Sequence, residues 1–140
     1  MLKNHKVNQI TDLQAAVVGT GFIGPVHVEA LRRLGVRVVA LCDLPDRVGT
    51  AAKKLGIEQA YSDYEKMLAD ADIDVVHITT PNKLHYPMAL KALKYGKHVV
   101  CEKPLAMNTK ETANIVKEAE KSGKIFAVNY NVRFYPAILQ

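Results

Sequence analysis

Short apolar runs alternate along this chain with stretches in which apolar residues recur at helical spacing. The runs are nearly continuous in valine, isoleucine and alanine, as expected of strands covered on both faces of a sheet. Glycines and other turn residues follow most segments. The pattern predicts strands at 13–18, 36–42, 57–61, 73–78, 98–101 and 125–128, and helices at 22–34, 46–55, 62–68, 84–95 and 109–121.

Some helix ends and faces can be predicted by residue. Ser62 and Glu65 match an S-x-x-E capping box at the start of the third helix. Asn108 or Thr109 is expected to cap the last helix. The core-facing positions expected in the first helix are Val26, Ala30, Leu31 and Leu34.

Six strands separated by helices are typical of an α/β fold with a parallel sheet and helices on both faces. Right-handed crossovers then predict a three-layer, doubly wound (Rossmann) sheet with the strand order 3-2-1-4-5-6. Residues 13–128 are expected to form this domain, after a polar leader at residues 1–12. In such sheets ligands bind beyond the carboxyl ends of the strands, so the loops at those ends are the candidate site.

The first of these loops has the sequence GTGFIG, from Gly19 to Gly24, between a strand and a helix. This context is that of the dinucleotide-binding fingerprint. Gly19 permits the sharp exit from the strand, Gly21 lets backbone approach a pyrophosphate, and Gly24 lets the helix pack closely on the strand. Phe22 and Ile23 complete the predicted phosphate-binding turn, whose free N–H groups face the ligand.

Asp43 follows the third glycine by about 20 residues, at the end of the second predicted strand. An acid at this place holds the ribose hydroxyls of NAD and repels the 2′-phosphate of NADP. Arg47 lies close enough in sequence to weaken that repulsion, so NAD is the expected cofactor and NADP the alternative. The competing interpretation of Asp43 is an acid that caps the next turn.

Two more loops carry candidate chemistry. Residues 79–82 (Thr79, Thr80, Pro81 and Asn82) are expected to line the dinucleotide, or else only to end a strand and cap a helix. His85 follows on the next helix, with a structural role as the alternative. Lys103 stands between Glu102 and Pro104, where a lysine at the cofactor crevice could exchange a proton with a substrate hydroxyl. An exposed turn lysine is the competing interpretation.

Composition excludes several classes of function. No apolar run approaches the roughly 20 residues of a membrane span, and no signal peptide is evident. The net charge of +5 comes from dispersed lysines, so neither nucleic acid nor a membrane is an expected partner. Cys42 and Cys101 lack metal-ligand spacing, which predicts no metal site and a reduced, cytoplasmic protein. His27 and His77 fall on predicted buried faces and are interpreted as core residues.

The segments GTGFIGPVH, TTPNKLH and EKPLAMN, in this order and spacing, resemble the Gfo/Idh/MocA family of oxidoreductases. The resemblance implies an NAD(P)-binding domain followed by a second, substrate-binding domain, and hydride transfer to or from a sugar, cyclitol or nucleotide sugar. By this likeness Lys103 is the catalytic lysine, Asn82 and His85 match the TPNxxH loop, and Glu102 belongs to the EKP loop. Arg133 matches an arginine found after the sixth strand.

The family's second domain is absent from this sequence, and residues 129–140 are expected to begin the connection to it. The apolar and aromatic residues there are expected to pack on that domain or on another chain. The sequence leaves a homo-oligomer of the full-length protein open, and the 140-residue chain alone is expected to have little or no activity. Two alternatives are a non-catalytic NAD(P)-binding regulatory module and a relative that uses NAD to cleave a glycosidic bond.

Overall fold

The six predicted strands form one sheet in the computed structural model, which describes residues 8–139. All paired neighbours are parallel, and the order is β3-β2-β1-β4-β5-β6, as the sequence predicts. The strands are β1 (Gln14–Val18), β2 (Arg37–Cys42), β3 (Gln59–Tyr61), β4 (Val75–Ile78), β5 (His98–Glu102) and β6 (Phe126–Asn129).

Five helices connect these strands, each at the place that the hydrophobic pattern predicts. They are α1 (Gly24–Arg33), α2 (Pro45–Leu55), α3 (Tyr64–Asp70), α4 (His85–Lys94) and α5 (Thr109–Ser122). Short 3-10 turns occupy Ile10–Asp12, Asn82–Leu84 and Asn131–Phe134. Within residues 8–139, no helix is long and apolar enough to cross a membrane.

Strand β1 contributes side chains to the apolar core on both faces of the sheet, because successive residues of a strand point to opposite faces. Ala15 and Val17 belong to an apolar cluster that includes residues of α1 and α2. Ala16 and Val18 belong to the opposite cluster, which includes residues of α3, α4 and α5. All five residues of β1 are buried, which explains the continuous apolar run in the sequence.

The last helix is capped as predicted, and the third is not. Asn108 caps α5 by accepting a hydrogen bond from the backbone N–H of Glu111. Helix α3 is capped by Asp63, whose carboxylate accepts from the backbone N–H of Lys66, so the prediction of Ser62 was wrong by one residue. Aspartate and serine are equally good caps, and here the chain turns into the helix one position later.

The buried face of α1 also differs from the prediction. Val26 and Leu34 are 54% and 60% exposed, and Ala30 is exposed too. The face that packs on the sheet consists of Gly24, His27, Val28 and Leu31. These positions follow the i, i+3, i+4, i+7 stripe of a helix. The sequence analysis selected the more apolar residues and therefore predicted the wrong buried face, because a glycine and a histidine occupy half of the observed one.

Helix α1 lies on the exit of β1 at a distance that only glycine allows. A Cβ added at Gly24 would stand 2.1 Å from the carbonyl oxygen of Gly19. A Cβ added at Gly19, where φ is +92°, would stand 2.7 Å from the carbonyl oxygen of Thr79. Both glycines therefore have the structural roles predicted for the first and third positions of the fingerprint.

The segment after β6 exposes apolar and aromatic side chains, as the sequence predicts. Its most exposed members are Tyr130, Phe134, Tyr135, Ile138 and Leu139. A separate groove between α5 and β6 is lined in part by the exposed side chains of Val116 and Val128. An apolar surface of this kind usually meets another part of a protein.

We expect Gly24→Ala to lower the free energy of unfolding by at least about 2 kcal/mol, because its methyl group meets rigid backbone. Gly49→Ala is the matched control, since Gly49 lies exposed inside α2 and its added Cβ meets nothing within 4 Å. That control should raise stability by up to about 1 kcal/mol, the usual gain for alanine in a helix. Urea unfolding of both variants measures the two effects, and a Gly24→Ala variant as stable as the wild type would contradict the close approach.

Candidate functional site

A cleft of about 450 Å³ opens at the carboxyl edge of the sheet, between the ends of β1, β2 and β4. Eight of the predicted cofactor-binding residues line it: Gly19, Gly21, Phe22, Ile23, Asp43, Thr79, Thr80 and Pro81. The wall opposite the glycine turn includes Tyr64 and Met88, which the sequence analysis did not single out. The structure thus brings three separate sequence segments together in one cleft.

Hydrogen bonds join the strand ends that form this cleft. The hydroxyl group of Thr79 faces the carbonyl oxygens of Val18 and Gly19, at 2.9 and 2.7 Å. The backbone N–H of Gly19 donates to the carbonyl oxygen of Cys42, 2.8 Å away. Thr79 therefore fixes the glycine turn from the side of β4, a role that lies beyond simply ending a strand.

The Asp43 carboxylate is held by the glycine turn. One oxygen accepts from the backbone N–H and the hydroxyl group of Thr20, at 2.5 and 2.6 Å, and the other accepts from the backbone N–H of Leu44, at 2.7 Å. Burial raises the pKa of Asp43, but these hydrogen bonds and the charge of Arg47 lower it by more. The pKa of Asp43 therefore lies below its ordinary value, so its carboxylate is ionised at neutral pH, and it shares the cleft with the positive charge of Arg47.

The glycine turn is open where a phosphate would approach. A Cβ added at Gly21 would meet nothing within 4 Å, so the space above this residue is free. Within the described residues no side chain caps the start of α1, where Pro25 occupies the first turn. Uncapped N–H groups at a helix start attract anions. The turn and the cleft together fit a pyrophosphate that continues toward a ribose at Asp43.

The EKP loop lies at the same edge of the sheet, at the end of β5. Lys103 is exposed, and the Lys103–Pro104 peptide bond is cis. The Glu102 carboxylate accepts from the backbone N–H of Lys103 at 3.2 Å, and its other oxygen lies 3.0 Å from His27 Nε2. Glu102 therefore contacts the peptide group of the lysine, and the lysine side chain projects from a fixed backbone.

Two histidines lie beneath this loop, and the sequence analysis did not recognise them as polar components of the site. His27 Nε2 lies 3.0 Å from Glu102 Oε1, and the Nδ1 atoms of His27 and His77 are 2.9 Å apart. Asn129, from β6, donates to the same Glu102 oxygen at 2.6 Å. Both histidines are buried or half-buried, as predicted for core residues, but they join a polar network. The signal available was the position of His27 three residues after the third glycine.

His85 connects the two loops that flank the edge of the cleft. It is fully buried, with Nδ1 2.7 Å from the carbonyl oxygen of Pro104 and Nε2 2.9 Å from that of Thr80. A histidine with both ring nitrogens on backbone carbonyls holds loops in place. The geometry therefore supports the structural alternative for His85 over direct contact with a ligand.

Three other predicted residues lie outside the lining of the cleft. Asn82 is exposed in the 3-10 turn Asn82–Leu84. Gly24 is buried behind the turn, where it makes the close approach to Gly19. Arg133 is exposed after β6, with its guanidinium 5.5 Å from the ring centroid of Phe134.

The two cysteines lie near the carboxyl ends of β2 and β5, and neither thiol is reactive. Both are buried with free thiols. Burial, followed by the charges of Asp43 and Asp63, raises the pKa of Cys42 to about 11. Burial and the charge of Glu102 raise the pKa of Cys101 to about 12. Because the thiolate is the nucleophile, neither cysteine is suited to covalent chemistry at neutral pH.

Comparison with known proteins settles the family. Residues 13–130 match the family model described as "Oxidoreductase family, NAD-binding Rossmann fold", named for Gfo, Idh and MocA. The chain belongs to this family. The resemblance seen in the sequence is thereby confirmed, and the chain is an NAD-binding Rossmann domain of the Gfo/Idh/MocA family.

The relatives that the chain matches are longer proteins, several of them dehydrogenases. Inositol 2-dehydrogenase of Salmonella typhimurium is 40% identical over 116 residues, which are 80% of this chain and 34% of that protein. A structure titled levoglucosan dehydrogenase in complex with NADH and levoglucosan has a TM-score of 0.84 at 31% identity, covering 90% of this chain and 37% of that one. The chain thus spans about a third of the length of these relatives.

A further solved structure covers almost the whole chain. The WlbA dehydrogenase from Chromobacterium violaceum, in complex with NADH and UDP-GlcNAcA, has a TM-score of 0.88 at 27% identity. It covers 99% of this chain and 41% of its own. Both structures contain NADH by their titles, in agreement with NAD as the cofactor of this family domain.

We expect acid to destabilise the fold through His77. Burial, followed by the charge of His27, lowers the pKa of His77 to about 4, from an ordinary value of 6.5. Between these two pH values His77 binds a proton in the unfolded chain but not in the folded chain. The free energy of unfolding therefore has its full value above pH 6.5 and falls as the pH is lowered toward 4. The loss should approach about 3 kcal/mol.

Urea unfolding at several pH values measures this loss. His77→Gln removes the titrating ring, so its unfolding free energy should depend less steeply on pH across that window. Asp43 and Glu102, whose pKa values are also lowered, act in the same direction in both proteins. Parallel curves for wild type and variant would exclude His77 as the source.

Proposed function

We propose that this chain is the cofactor-binding part of an NAD-dependent dehydrogenase acting on a secondary alcohol of a sugar, cyclitol or nucleotide sugar. The observation that carries the proposal is the cleft in which the glycine turn and the Asp43 carboxylate meet, at the edge that also presents Lys103. The relatives named above, which are dehydrogenases of inositol and levoglucosan, support the substrate class.

The chain's own residues divide the work of binding. The glycine turn and the start of α1 would hold the pyrophosphate. Asp43 would accept from ribose hydroxyl groups, which favours NAD because the same carboxylate repels a 2′-phosphate. Thr79, Thr80 and Pro81 would line the opposite wall, and Thr79 fixes the turn itself.

Lys103 is the residue we assign to the chemistry. When bound, NAD supplies the acceptor for a hydride from the carbinol carbon. The lysine side chain would hold the substrate hydroxyl and take its proton, with its backbone fixed by Glu102. Lys103 is exposed in this chain, so we propose that a second domain closes over it and supplies the rest of the substrate site.

We propose that residues 129–140 begin the connection to that domain. The exposed side chains of Phe134, Ile138 and Leu139 would pack against it. Arg133 would reach the cofactor, and Asn82 the far end of the cleft, only in that larger assembly. The 140-residue chain is expected to bind NAD with little or no turnover of its own, and the cytoplasm stays our prediction for its compartment.

Titration of the chain with NADH and NADPH, followed by fluorescence or calorimetry, tests the cofactor assignment. We expect NADH to bind at least about tenfold more tightly, a difference of about 1.4 kcal/mol. Asp43→Ser should weaken NADH binding and narrow or reverse the preference, because Arg47 would then face the 2′-phosphate alone. Asp70→Asn, an exposed acid at the end of α3, is the charge-matched control. Binding of neither dinucleotide would end the proposal.

The substitution Lys103→Ala tests the catalytic role of the lysine. It is made in the longest polypeptide that contains this sequence. The variant should bind NADH within a few-fold of wild type, because Lys103 lies outside the lining of the cleft assigned to the dinucleotide. Its rate of NAD reduction with inositols and simple sugars should fall by about 10² to 10⁴, the usual contribution of a positioned acid or base. Activity within about tenfold of wild type, roughly 1.4 kcal/mol of barrier, would contradict the assignment.

A further inference from the structure

A polar network at the carboxyl edge joins three strands and one helix beneath the EKP loop. We call it the Glu102 network; its members are His27 on α1, His77 on β4, Glu102 on β5 and Asn129 at the end of β6. None of them lines the cleft assigned to the dinucleotide. The binding functions proposed above therefore do not explain why these side chains are polar.

The hydrogen-bond directions in the network follow from the charge of Glu102. Burial raises the pKa of Glu102, but hydrogen bonds from Asn129, His27 and the backbone N–H of Lys103 lower it below its ordinary value. An ionised carboxylate only accepts hydrogen bonds, so His27 must donate from Nε2. In a neutral His27 ring Nδ1 then accepts, and the proton between the two rings belongs to His77 Nδ1.

The two oxygens of Glu102 have different tasks. Oε1 accepts from His27 at 3.0 Å and from Asn129 at 2.6 Å, both of which stand on regular secondary structure. Oε2 accepts from the backbone N–H of Lys103 at 3.2 Å. The carboxylate therefore transmits the position of α1 and β6 to the peptide group that carries the lysine.

We propose that His27 is a positioning residue for Lys103, acting through Glu102 with Asn129 as its second support. The assignment of a catalytic purpose rests on the role proposed for Lys103, whereas the positioning itself does not. Helix α1 begins at the glycine turn, so His27 also ties the lysine loop to the element that faces the pyrophosphate. Helix α1 thus sets the position of both the cofactor site and Lys103.

The physical cost of the network argues for such a task. Placing a carboxylate at 13% side-chain exposure beside a buried histidine costs desolvation that an apolar pair would avoid. The neighbouring stripe positions Val28 and Leu31 show that α1 packs with aliphatic residues where only packing is required. A fixed carboxylate with directed donors gives a single orientation that an apolar contact cannot impose.

Nuclear magnetic resonance on the 140-residue chain, without cofactor, tests the positioning. In the wild type we expect the Lys103 amide to be as rigid as β5, with an order parameter of about 0.85. His27→Leu should reduce it to below about 0.6, the value of flexible backbone. His27→Gln, whose side-chain amide can donate to Glu102, should restore it at least in part.

A second readout follows the same amide against pH. The chemical shift of the Lys103 amide reports the ionisation of Glu102 through the hydrogen bond. The midpoint of its pH titration should therefore move to higher pH in His27→Leu and in Asn129→Ala. Each variant removes one donor that lowers the pKa of Glu102. Glu118→Gln, an acid on the surface of α5, should move neither readout.

The outcomes separate positioning from general support. Loss of order confined to residues near Lys103, with rescue by His27→Gln, supports the proposal. An unchanged Lys103 amide in folded His27→Leu overturns it, as does equal loosening of the amides of Leu44 and Thr79. If His27→Leu does not fold, Asn129→Ala and His27→Gln decide by the same two readouts. NADH titration of the wild type is independent, so failed binding would refute the cofactor proposal and leave this one standing.

Discussion

The carbonyl oxygen of Gly19 occupies the place where any residue other than glycine at position 24 would put its Cβ, 2.1 Å away. This contact sets the distance between helix α1 and the end of β1. From it follow the direction in which the helix start faces the cleft and the height at which His27 meets Glu102. A helix displaced outward by one methyl group would lose both arrangements, since packed backbone gives way little.

The fold and the cleft could be predicted because their signals are local in sequence. Continuous apolar runs mark strands buried on both faces, and glycines with an acid about 20 residues later mark a dinucleotide turn whatever the rest of the chain contains. Order, parallel pairing and the lining by Asp43 and Thr79 then follow from topology, because the carboxyl ends of parallel strands share one edge.

The polar contacts beneath Lys103 could not be predicted in the same way. His27 meets partners 50 and 75 residues away, and Asn129 meets Glu102 across 27 residues. No periodicity encodes such pairings, and a histidine on a buried helical face looks like any other core residue. The buried face of α1 was predicted incorrectly for the same reason. The polar His27 belongs to that face only because the edge of the sheet provides its hydrogen-bond partners. Asp63 replaced Ser62 as a cap for a smaller reason, a turn one residue longer than expected.

The two polar centres of the carboxyl edge share one design. In each, a carboxylate at a strand end is held ionised by the backbone N–H of the next residue and by donors from other segments. At Asp43 these are Leu44 and then Thr20, and at Glu102 they are Lys103 and then His27 and Asn129. The apolar layers on both faces of the sheet supply the packing, while these carboxylates fix how the loops above it are oriented.

The donors already gathered around Asp43 have a thermodynamic consequence. A carboxylate offers about four lone-pair positions, and Thr20 and Leu44 occupy three of them. Two of those donors are backbone groups that cannot leave. On the proposal that Asp43 holds a ribose, the first ribose hydroxyl group would take the one free position, and the second would have to replace the Thr20 hydroxyl group. The net affinity from Asp43 would then be close to that of a single hydrogen bond, and its discrimination between NAD and NADP would come mainly from charge.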